Sequence, residues 1–474
     1  MIKTSSKITE GPIFKNLFLF TVPIMLTGLL QVLYNMADNI VVGKFSGDPL
    51  ALAAVGSTTA LTALFVNSLL NIATGSGVII AQAYGARDSQ RTSRSIHTSL
   101  TFALIAGVLL GAIAFAFTDP LLALLGTKEE VFSRAALYFR IICIGVPAIT
   151  IYNFGAAILR STGNSKTPLY ILAASGLLNV LLNLFFVIVC GMTVDGVALA
   201  TIISQYLSAA AVILILIRSE EDSTKFVPKK MRIDGAILKR MLAIGIPAAL
   251  QSAMFSMSNM ILTGATNTLT AEQVSAKTIA FNVDALLYTV MNSFSSGTMT
   301  FVGQNYGAKN YPRVKRSILC SIIQVNVVGI LLGQLLTLFN SQIVNMYLDP
   351  MDPAAPIVAE YAMELSAFIL SCYFLCGVME SLTAACRSLG NALLPMISSI
   401  IGTCLLRSLW AIFIFPIPEF NTLVGLFICY PVSWIFVIVC LVVILIFAMR
   451  KVKKELTSNC DTALQNNCEQ TVEA

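Results

Sequence analysis

The sequence predicts an all-α integral membrane protein in which twelve transmembrane helices form two six-helix lobes that repeat in parallel. Two observations carry this prediction. Of 474 residues, 57% are hydrophobic and only 11% are charged, whereas a soluble domain carries about 25% charged residues. In addition, the stretch Gln82-Ala83-Tyr84-Gly85-Ala86-Arg87 recurs 222 positions later as Gln304-Asn305-Tyr306-Gly307-Ala308-Lys309. The chain therefore contains two copies of a module of roughly 220 residues, and each copy is apolar enough to span a bilayer.

Hydrophobic runs long enough to cross a hydrocarbon core of about 30 Å recur along the chain. They are too long and too uniformly apolar for the strands of a membrane barrel. In lipid, a continuous helix satisfies its own backbone hydrogen bonds, so we expect helices. The predicted spans cover about residues 14–40, 52–80, 95–117, 131–159, 168–190, 194–217, 237–264, 276–303, 317–340, 357–386, 392–416 and 421–449.

The repeat predicts the orientation and the boundaries of its two copies. Six spans per copy is an even number, so the second copy enters the membrane in the same orientation as the first, as in transporters built from parallel repeats. The polar, proline-containing segment between the copies is the natural boundary. We expect an N-terminal lobe at 1–217, a cytoplasmic linker at 218–236, a C-terminal lobe at 237–450 and a cytoplasmic tail at 451–474. The additional matches pair Arg160, Gly163, Asn164 and Pro168 with Arg387, Gly390, Asn391 and Pro395, and Pro23, Asn35 and Met36 with Pro247, Asn259 and Met260.

Basic residues concentrate in every second loop, which predicts the topology. Cytoplasmic loops of membrane proteins carry an excess of Lys and Arg. We therefore place both termini and the linker in the cytoplasm, and the formal charge of +6 requires no nucleic-acid partner. The residues concerned are Lys3, Lys7, Lys15, Arg87, Arg91, Arg94, Arg160, Lys166, the seven basic residues from Arg218 to Arg240, Lys309, Arg313, Lys315, Arg316, Arg450, Lys451, Lys453 and Lys454.

The sequence lacks the residue clusters that enzymes and metal sites need. Its eleven cysteines are scattered without metal-like spacing, and His97 is the only histidine. Nothing resembles the filter loop of a channel. A nucleotide-binding domain is also absent from the sequence, so an ion gradient or a partner must supply any energy. We expect no enzymatic activity, no cofactor and no metal site.

The first span carries a polar stripe that ends in an acid. Gln31, Tyr34, Asn35 and Asp38 follow the spacing i, i+3, i+4 and i+7, which places them on one helical face. Pro23 precedes them and permits a bend. The stripe favours a protonatable or cation-binding site at Asp38. The alternative is that Asp38 ends the helix in interfacial water.

Amide side chains in three further spans extend this polar set. Asn179 and Asn183 lie one turn apart in the fifth span, Asn153 lies in the fourth, and Asn67 lies in the second with Asn71 and Thr74 on its face. These amides line a cavity around Asp38 in one interpretation. In the other they hydrogen-bond between helices and hold them together, which we favour for the second span.

The second lobe has two intramembrane acids, Asp284 and Glu380. Glu380 lies seven residues before Arg387, two helical turns inside the cytoplasmic mouth, where an acid attracts cationic substrates or pairs with a base. Two intramembrane arginines, Arg140 and Arg407, either extend toward the interface or balance an acid.

Pro23 with Leu33-Tyr34-Asn35-Met36-Ala37-Asp38, the two Gln-x-Tyr-Gly-Ala phrases and the two Arg-x-x-Gly-Asn turns resemble the multidrug and toxic compound extrusion (MATE) family over residues 10–450. The resemblance implies an exporter of the bacterial inner membrane. It implies secondary active antiport of small organic, often cationic, compounds against H⁺ or Na⁺, by alternating access of two lobes. We expect the transporter to act as a monomer.

The resemblance also implies the site residues. Asp38 matches the acid of the first helix that family members use for cation coupling. Tyr34, Asn153 and Asn179 match polar members of the same cavity. Asn183 stands where many relatives have an aspartate, and the seventh span lacks the acid of sodium-coupled relatives, so we favour H⁺ over Na⁺. The expected cation-coupling residues are Asp38, Tyr34, Asn179, Asn183 and Asn153, and the expected substrate-cavity residues are Gln31, Asn35, Asn67, Asp284 and Glu380.

One alternative within the same fold is a flippase for a lipid-linked precursor. Such a protein is expected to have a more cationic central cavity and often additional helices. The acids within these spans favour cationic cargo instead, and we therefore retain the exporter as the leading hypothesis.

Overall fold

A computed structural model describes residues 8–349 and 351–472, with side chains described through residue 454. Lys3, Lys7 and the last two residues of the expected tail lie outside the described residues. Within this part of the chain, all regular structure is helical. The α-helices are α1 Ile13–Phe45, α2 Ala51–Gly85, α3 Ser89–Ala116, α4 Thr118–Leu124, α5 Glu129–Ser161, α6 Lys166–Leu184, α7 Val194–Ile217, α8 Gly235–Thr266, α9 Ala271–Gly307, α10 Tyr311–Leu338, α11 Asn340–Asn345, α12 Ala355–Ser388, α13 Leu393–Ser399, α14 Leu406–Leu409, α15 Leu423–Phe427 and α16 Cys429–Val472.

Two of the predicted spans contain π-helical turns. One such turn, Phe185–Val189, continues α6. Two others, Ile400–Leu405 and Trp410–Ile414, lie on either side of α14, so that α13, α14 and these turns together make the eleventh span. Turns of this kind are rare and occur often at functional sites.

The fold class is confirmed: eleven helical segments among the described residues are long and apolar enough to cross a membrane. One of the twelve expected spans, 276–303, is not among these eleven segments. It lies within α9. That helix has 37 residues, which is ample length, but polar side chains such as Lys277, Asp284 and Asn292 interrupt its apolar sequence.

The chain separates into two compact units. The first contains Phe18–Ser256, and the second contains Ile8–Leu17 together with the described residues from Met257 onward. The linker and the first part of α8 therefore fold with the first unit. The lobe boundaries expected at 217 and 237 stay a prediction.

In the first unit, α5 is the central helix and packs against α2, α3 and α7. Phe139 and Phe154 on α5 are completely buried. In the second unit, the repeat-equivalent helix α12 packs against α9, α10 and α16 in the same way. Each unit thus surrounds one central helix.

Two features of local geometry recur at equivalent positions of the repeat. A Cβ atom on Gly111 of α3 would lie 2.7 Å from the carbonyl oxygen of Cys143, and one on Gly333 of α10 would lie 2.6 Å from that of Leu370. Close helix approach therefore requires glycine at both sites. Arg87 and Lys309 also share a left-handed backbone, with φ of 56° and 55°.

Candidate functional site

In the first unit, the structure brings together the acid of α1 and the amides of α6. Asn183 Nδ2 donates hydrogen bonds to Asp38 Oδ1 at 2.5 Å and to Asn179 Oδ1 at 3.3 Å. Asn179 Nδ2 in turn lies 3.4 Å from Thr201 Oγ1 on α7. Both amides are buried and Asp38 is half-buried. The result is a linked set of polar groups inside a membrane-spanning unit.

This set has one acceptor without a donor. Asn183 Oδ1 is buried and has no hydrogen-bond partner among the described residues. A buried acceptor left unpaired costs about 1–3 kcal/mol. Beside a carboxylate, such an oxygen can accept a hydrogen bond from a protonated Asp38 or coordinate a small cation. The arrangement therefore suits reversible cation binding.

Tyr34 lies one turn before Asp38 and is held against α6. Its hydroxyl donates a hydrogen bond to the carbonyl oxygen of Ala173 at 3.2 Å. Its ring lies over Gly176, where a Cβ atom would come within 1.9 Å of the ring. Gly176, Asn179 and Asn183 share one face of α6, so this face receives both Tyr34 and Asp38.

The other expected residues of the first unit are placed differently. Asn153 Nδ2 donates to the carbonyl oxygen of Ile149 on its own helix at 2.9 Å, and no hydrogen bond in the described part of the chain joins it to Asp38. Gln31, Asn35 and Asn67 are exposed. Thus Asn183 contacts the acid directly, Asn179 is linked to it through Asn183, and Tyr34 packs against the same face of α6. The remaining four are not joined to this set by a described hydrogen bond.

The second unit holds a separate buried polar group. The carboxylate of Asp284 on α9 accepts a hydrogen bond from the hydroxyl of Tyr373 on α12, and Arg407 interacts with it electrostatically. Arg407 is only 2% exposed. Its Nε donates to Ser433 Oγ at 2.9 Å. Its guanidinium carbon lies 3.9 Å from the centre of the Tyr430 ring. Arg407 therefore balances an acid inside the unit rather than reaching the interface.

Tyr430 connects this arginine to a residue that the repeat could have identified. Its hydroxyl donates to Asn259 Oδ1 at 3.1 Å, and Asn259 is the repeat partner of Asn35. Sequence reasoning missed Tyr430, Tyr373 and Thr201 as members of these polar sets. The offset between the two copies could have identified Asn259, whereas no sequence pattern marked Tyr430, Tyr373 or Thr201.

Glu380 is buried within α12 and interacts electrostatically with Arg387 of the same helix. The hydroxyl of Ser295 on α9 donates to the backbone oxygen of Glu380 at 3.3 Å. Glu380 therefore sits where the central helix of the second unit, α12, meets α9.

Ion pairs at the helix ends account for other charges. Arg140 Nη2 lies 2.6 Å from Asp119 Oδ2, so the second interpretation of Arg140, balancing an acid, describes its contact. Asp48, between α1 and α2, accepts hydrogen bonds from the backbone amide of Leu50 and from the guanidinium of Arg134. These two bonds hold the pKa of Asp48 below its usual range. Among the described residues, no group of three or more His, Cys, Asp or Glu side chains could hold a metal ion.

Comparison with known proteins finds one matching family. The family model described as MatE matches residues 23–185 and 247–412, once in each copy of the repeat. The two matched segments together cover more than half of the chain.

Relatives and solved structures agree with this match. The chain is 29% identical over 405 residues to the "Probable multidrug resistance protein YoeA" of Bacillus subtilis (strain 168), covering 84% of this chain and 86% of the relative. It is 27% identical over 400 residues to the "Probable multidrug resistance protein YpnP" of the same organism, covering 84% and 88%. A crystal structure of a MATE protein in the bent conformation superimposes with a TM-score of 0.85 at 22% identity, covering 96% of this chain and all of that one.

Proposed function

Because the chain belongs to the MatE family, whose members are transporters rather than enzymes, we propose that it is a cation-coupled secondary exporter of small organic, often cationic, compounds. Cargo leaves the cell in exchange for an inward-moving cation as the two lobes alternate access. The names of the two relatives, each a "Probable multidrug resistance protein", support small organic compounds as the substrate class.

One observation carries the coupling proposal: the contact between Asp38 and Asn183 at 2.5 Å, inside a membrane-spanning unit. A ligand shifts a conformational equilibrium only when it binds one state better than the other. A half-buried carboxylate meets this requirement, because closing water away from it favours its neutral or cation-bound form. Opening the site to water favours release.

We propose H⁺ as the coupling cation. Sodium prefers several hard oxygen ligands, whereas a proton needs one carboxyl group. In this arrangement Asn183 directs its NH₂ group, a donor, toward Asp38, and the family resemblance implies that this amide stands where many relatives have an aspartate. The single negative charge of the set favours a proton over a sodium ion.

The test is export from proteoliposomes with each ion gradient imposed separately. We expect a pH gradient to drive export of a cationic dye, and Asp38→Asn to abolish it while the protein still inserts and purifies normally. Glu129→Gln removes an exposed acid from the same unit and is the matched control, with export unchanged. Full transport by the Asp38 variant rules out the coupling site. Strong export under a sodium gradient, with the pH gradient collapsed by an ionophore, overturns the proton assignment.

The proposed location is the bacterial inner membrane, with both termini in the cytoplasm and the monomer as the working unit. In this orientation the loop between α6 and α7 faces outward, and Cys190 in that loop is exposed. A membrane-impermeant maleimide should therefore label intact cells at Cys190, and Cys190→Ser should remove that label. Labelling that appears only after the cells are broken open contradicts the orientation.

A further inference from the structure

The turn between α2 and α3 carries an unusual concentration of arginines in the first unit. Arg87, Arg91 and Arg94 lie in or just after this turn, and Arg240 of α8 is close enough that Arg91 experiences electrostatic repulsion from it. Two carboxylates accompany Arg91, Arg94 and Arg240. Asp88 interacts with Arg91, and Asp234 lies 3.7 Å from Arg94. The cluster therefore keeps an excess of positive charge.

Two arginines of this cluster, Arg91 and Arg94, each retain an unused hydrogen-bond donor. Arg91 Nη2 and Arg94 Nε are buried and have no hydrogen-bond partner within the described part of the chain. Leaving a buried charged donor unpaired is costly, more so than for a neutral one. Arg240 Nη2 donates a hydrogen bond to Gln82 Oε1 at the long distance of 3.4 Å. The site is thus short of oxygen acceptors.

The repeat supplies an internal comparison. Arg313 occupies in the second unit the position that Arg91 occupies in the first. All three nitrogens of Arg313 are used: Nε donates to Asn305 Oδ1 at 3.1 Å, Nη1 to the carbonyl oxygen of Gly11 at 3.0 Å, and Nη2 to those of Ile8 and Glu10 at 3.0 and 3.2 Å. The position of Arg313 therefore accommodates several oxygens around its guanidinium, whereas in the first unit no described residue provides an oxygen for Arg91 Nη2.

We propose that the Arg91–Arg94–Arg240 cluster binds the phosphate group of an anionic membrane phospholipid. A phosphate offers several oxygens to guanidinium groups, which bind it through paired hydrogen bonds. The turn lies between two membrane-spanning helices, α2 ending at Gly85 and α3 beginning at Ser89, so the cluster sits at the level of the lipid headgroups. Basic pockets at such positions are suited to anionic headgroups. This inference concerns lipid binding and does not depend on what the protein exports.

The test is binding of phosphatidylglycerol to the purified full chain in neutral detergent, measured by native mass spectrometry. Phosphatidylcholine is the neutral-lipid comparison, and millimolar inorganic phosphate is a competitor. We expect the parent protein to retain phosphatidylglycerol in preference to phosphatidylcholine, and inorganic phosphate to leave it bound.

The decisive variant is Arg91→Gln with Arg94→Gln. Each arginine near an anionic headgroup is expected to contribute about fivefold in affinity, so the pair should weaken binding by about 25-fold. The matched control is Lys315→Gln with Arg316→Gln, which removes two exposed charges at the equivalent turn of the second unit and should change the affinity less than about twofold.

Three results would overturn the proposal: no preference for phosphatidylglycerol in the parent, equal weakening in both double variants, or complete displacement by inorganic phosphate, which would indicate a free anion instead of a lipid. The lipid preference of the parent requires no variant. If the double variant does not fold, Arg94→Gln alone replaces it, since 39% of the Arg94 side chain is exposed.

Discussion

Gly176→Ala tests the contact that holds the polar stripe of α1 against α6. An added Cβ atom would lie 1.9 Å from Cε2 and 2.0 Å from Cζ of Tyr34, distances at which no two non-bonded carbon atoms can remain. Since Gly176 lies inside a helix, the backbone has little freedom to yield. The Tyr34 ring must move, and its 3.2 Å hydrogen bond to Ala173 should break.

The magnitude follows from three contributions. Overpacking costs typically about 1–3 kcal/mol. The lost hydrogen bond costs about 1 kcal/mol. Replacing glycine by alanine within a helix returns about 0.5–1 kcal/mol. The net expectation is a loss of about 1–3 kcal/mol in the free energy of unfolding. Export should fall as well, because displaced Tyr34 lies one turn from Asp38.

The assay is the thermal stability of the detergent-solubilised protein, measured together with dye export from proteoliposomes. Gly56→Ala is the matched control. Gly56 lies in α2 of the same unit and has open space around it, so this variant should lose no stability. The variant Tyr34→Ala removes the obstacle. In its background Gly176→Ala should cost much less, which a double-mutant cycle measures as a coupling energy of about 1–3 kcal/mol. Gly176→Ala with parental stability, or equal costs of Gly176→Ala with and without Tyr34, would refute the reasoning.

Three further predictions test other parts of the molecule. Glu380→Gln should weaken export of cationic dyes while proton-driven export of neutral compounds persists, and dye export equal to that of the parent would mean that this buried carboxylate is structural. Asn183→Asp should make export responsive to sodium, because two carboxylates in contact require a proton or another cation between them; export insensitive to sodium would contradict this. The bonds from a backbone amide and from Arg134 lower the pKa of Asp48 below its usual 3.8, so their stabilisation is present above that value and is lost as the pH falls through the folded-state pKa. Asp48→Asn should therefore reduce thermal stability at about pH 7, and this reduction should shrink as the pH is lowered below 3.8; a reduction that does not change with pH would show that ionisation is not involved.

The sequence by itself was sufficient for the frame of this protein. Apolar runs identify spans because lipid accepts only a backbone that satisfies its own hydrogen bonds. The offset between Gln82 and Gln304 identifies the duplication without any structural information. The face shared by Tyr34 and Asp38 also follows from sequence, since a helix fixes the angle between residues four positions apart.

Which helices meet was decided only by the tertiary structure. Asp38 and Asn183 are 145 positions apart, and from the residues alone a cavity of amides around Asp38 was only one of two interpretations. Asn153 was expected in the same set, yet its amide bonds to its own helix. Thr201 gave no signal, because a threonine in an apolar span has many possible partners.

The same limit applies to the buried charges. A lone Arg407 in an apolar sequence indicates a partner but does not identify it, and the structure supplies Tyr430, Ser433 and the neighbouring Asp284. Helical periodicity fixes relations within a segment. Relations between segments depend on how closely their surfaces fit, as at Gly176 beneath Tyr34, and this fit is a property of the packed helices together.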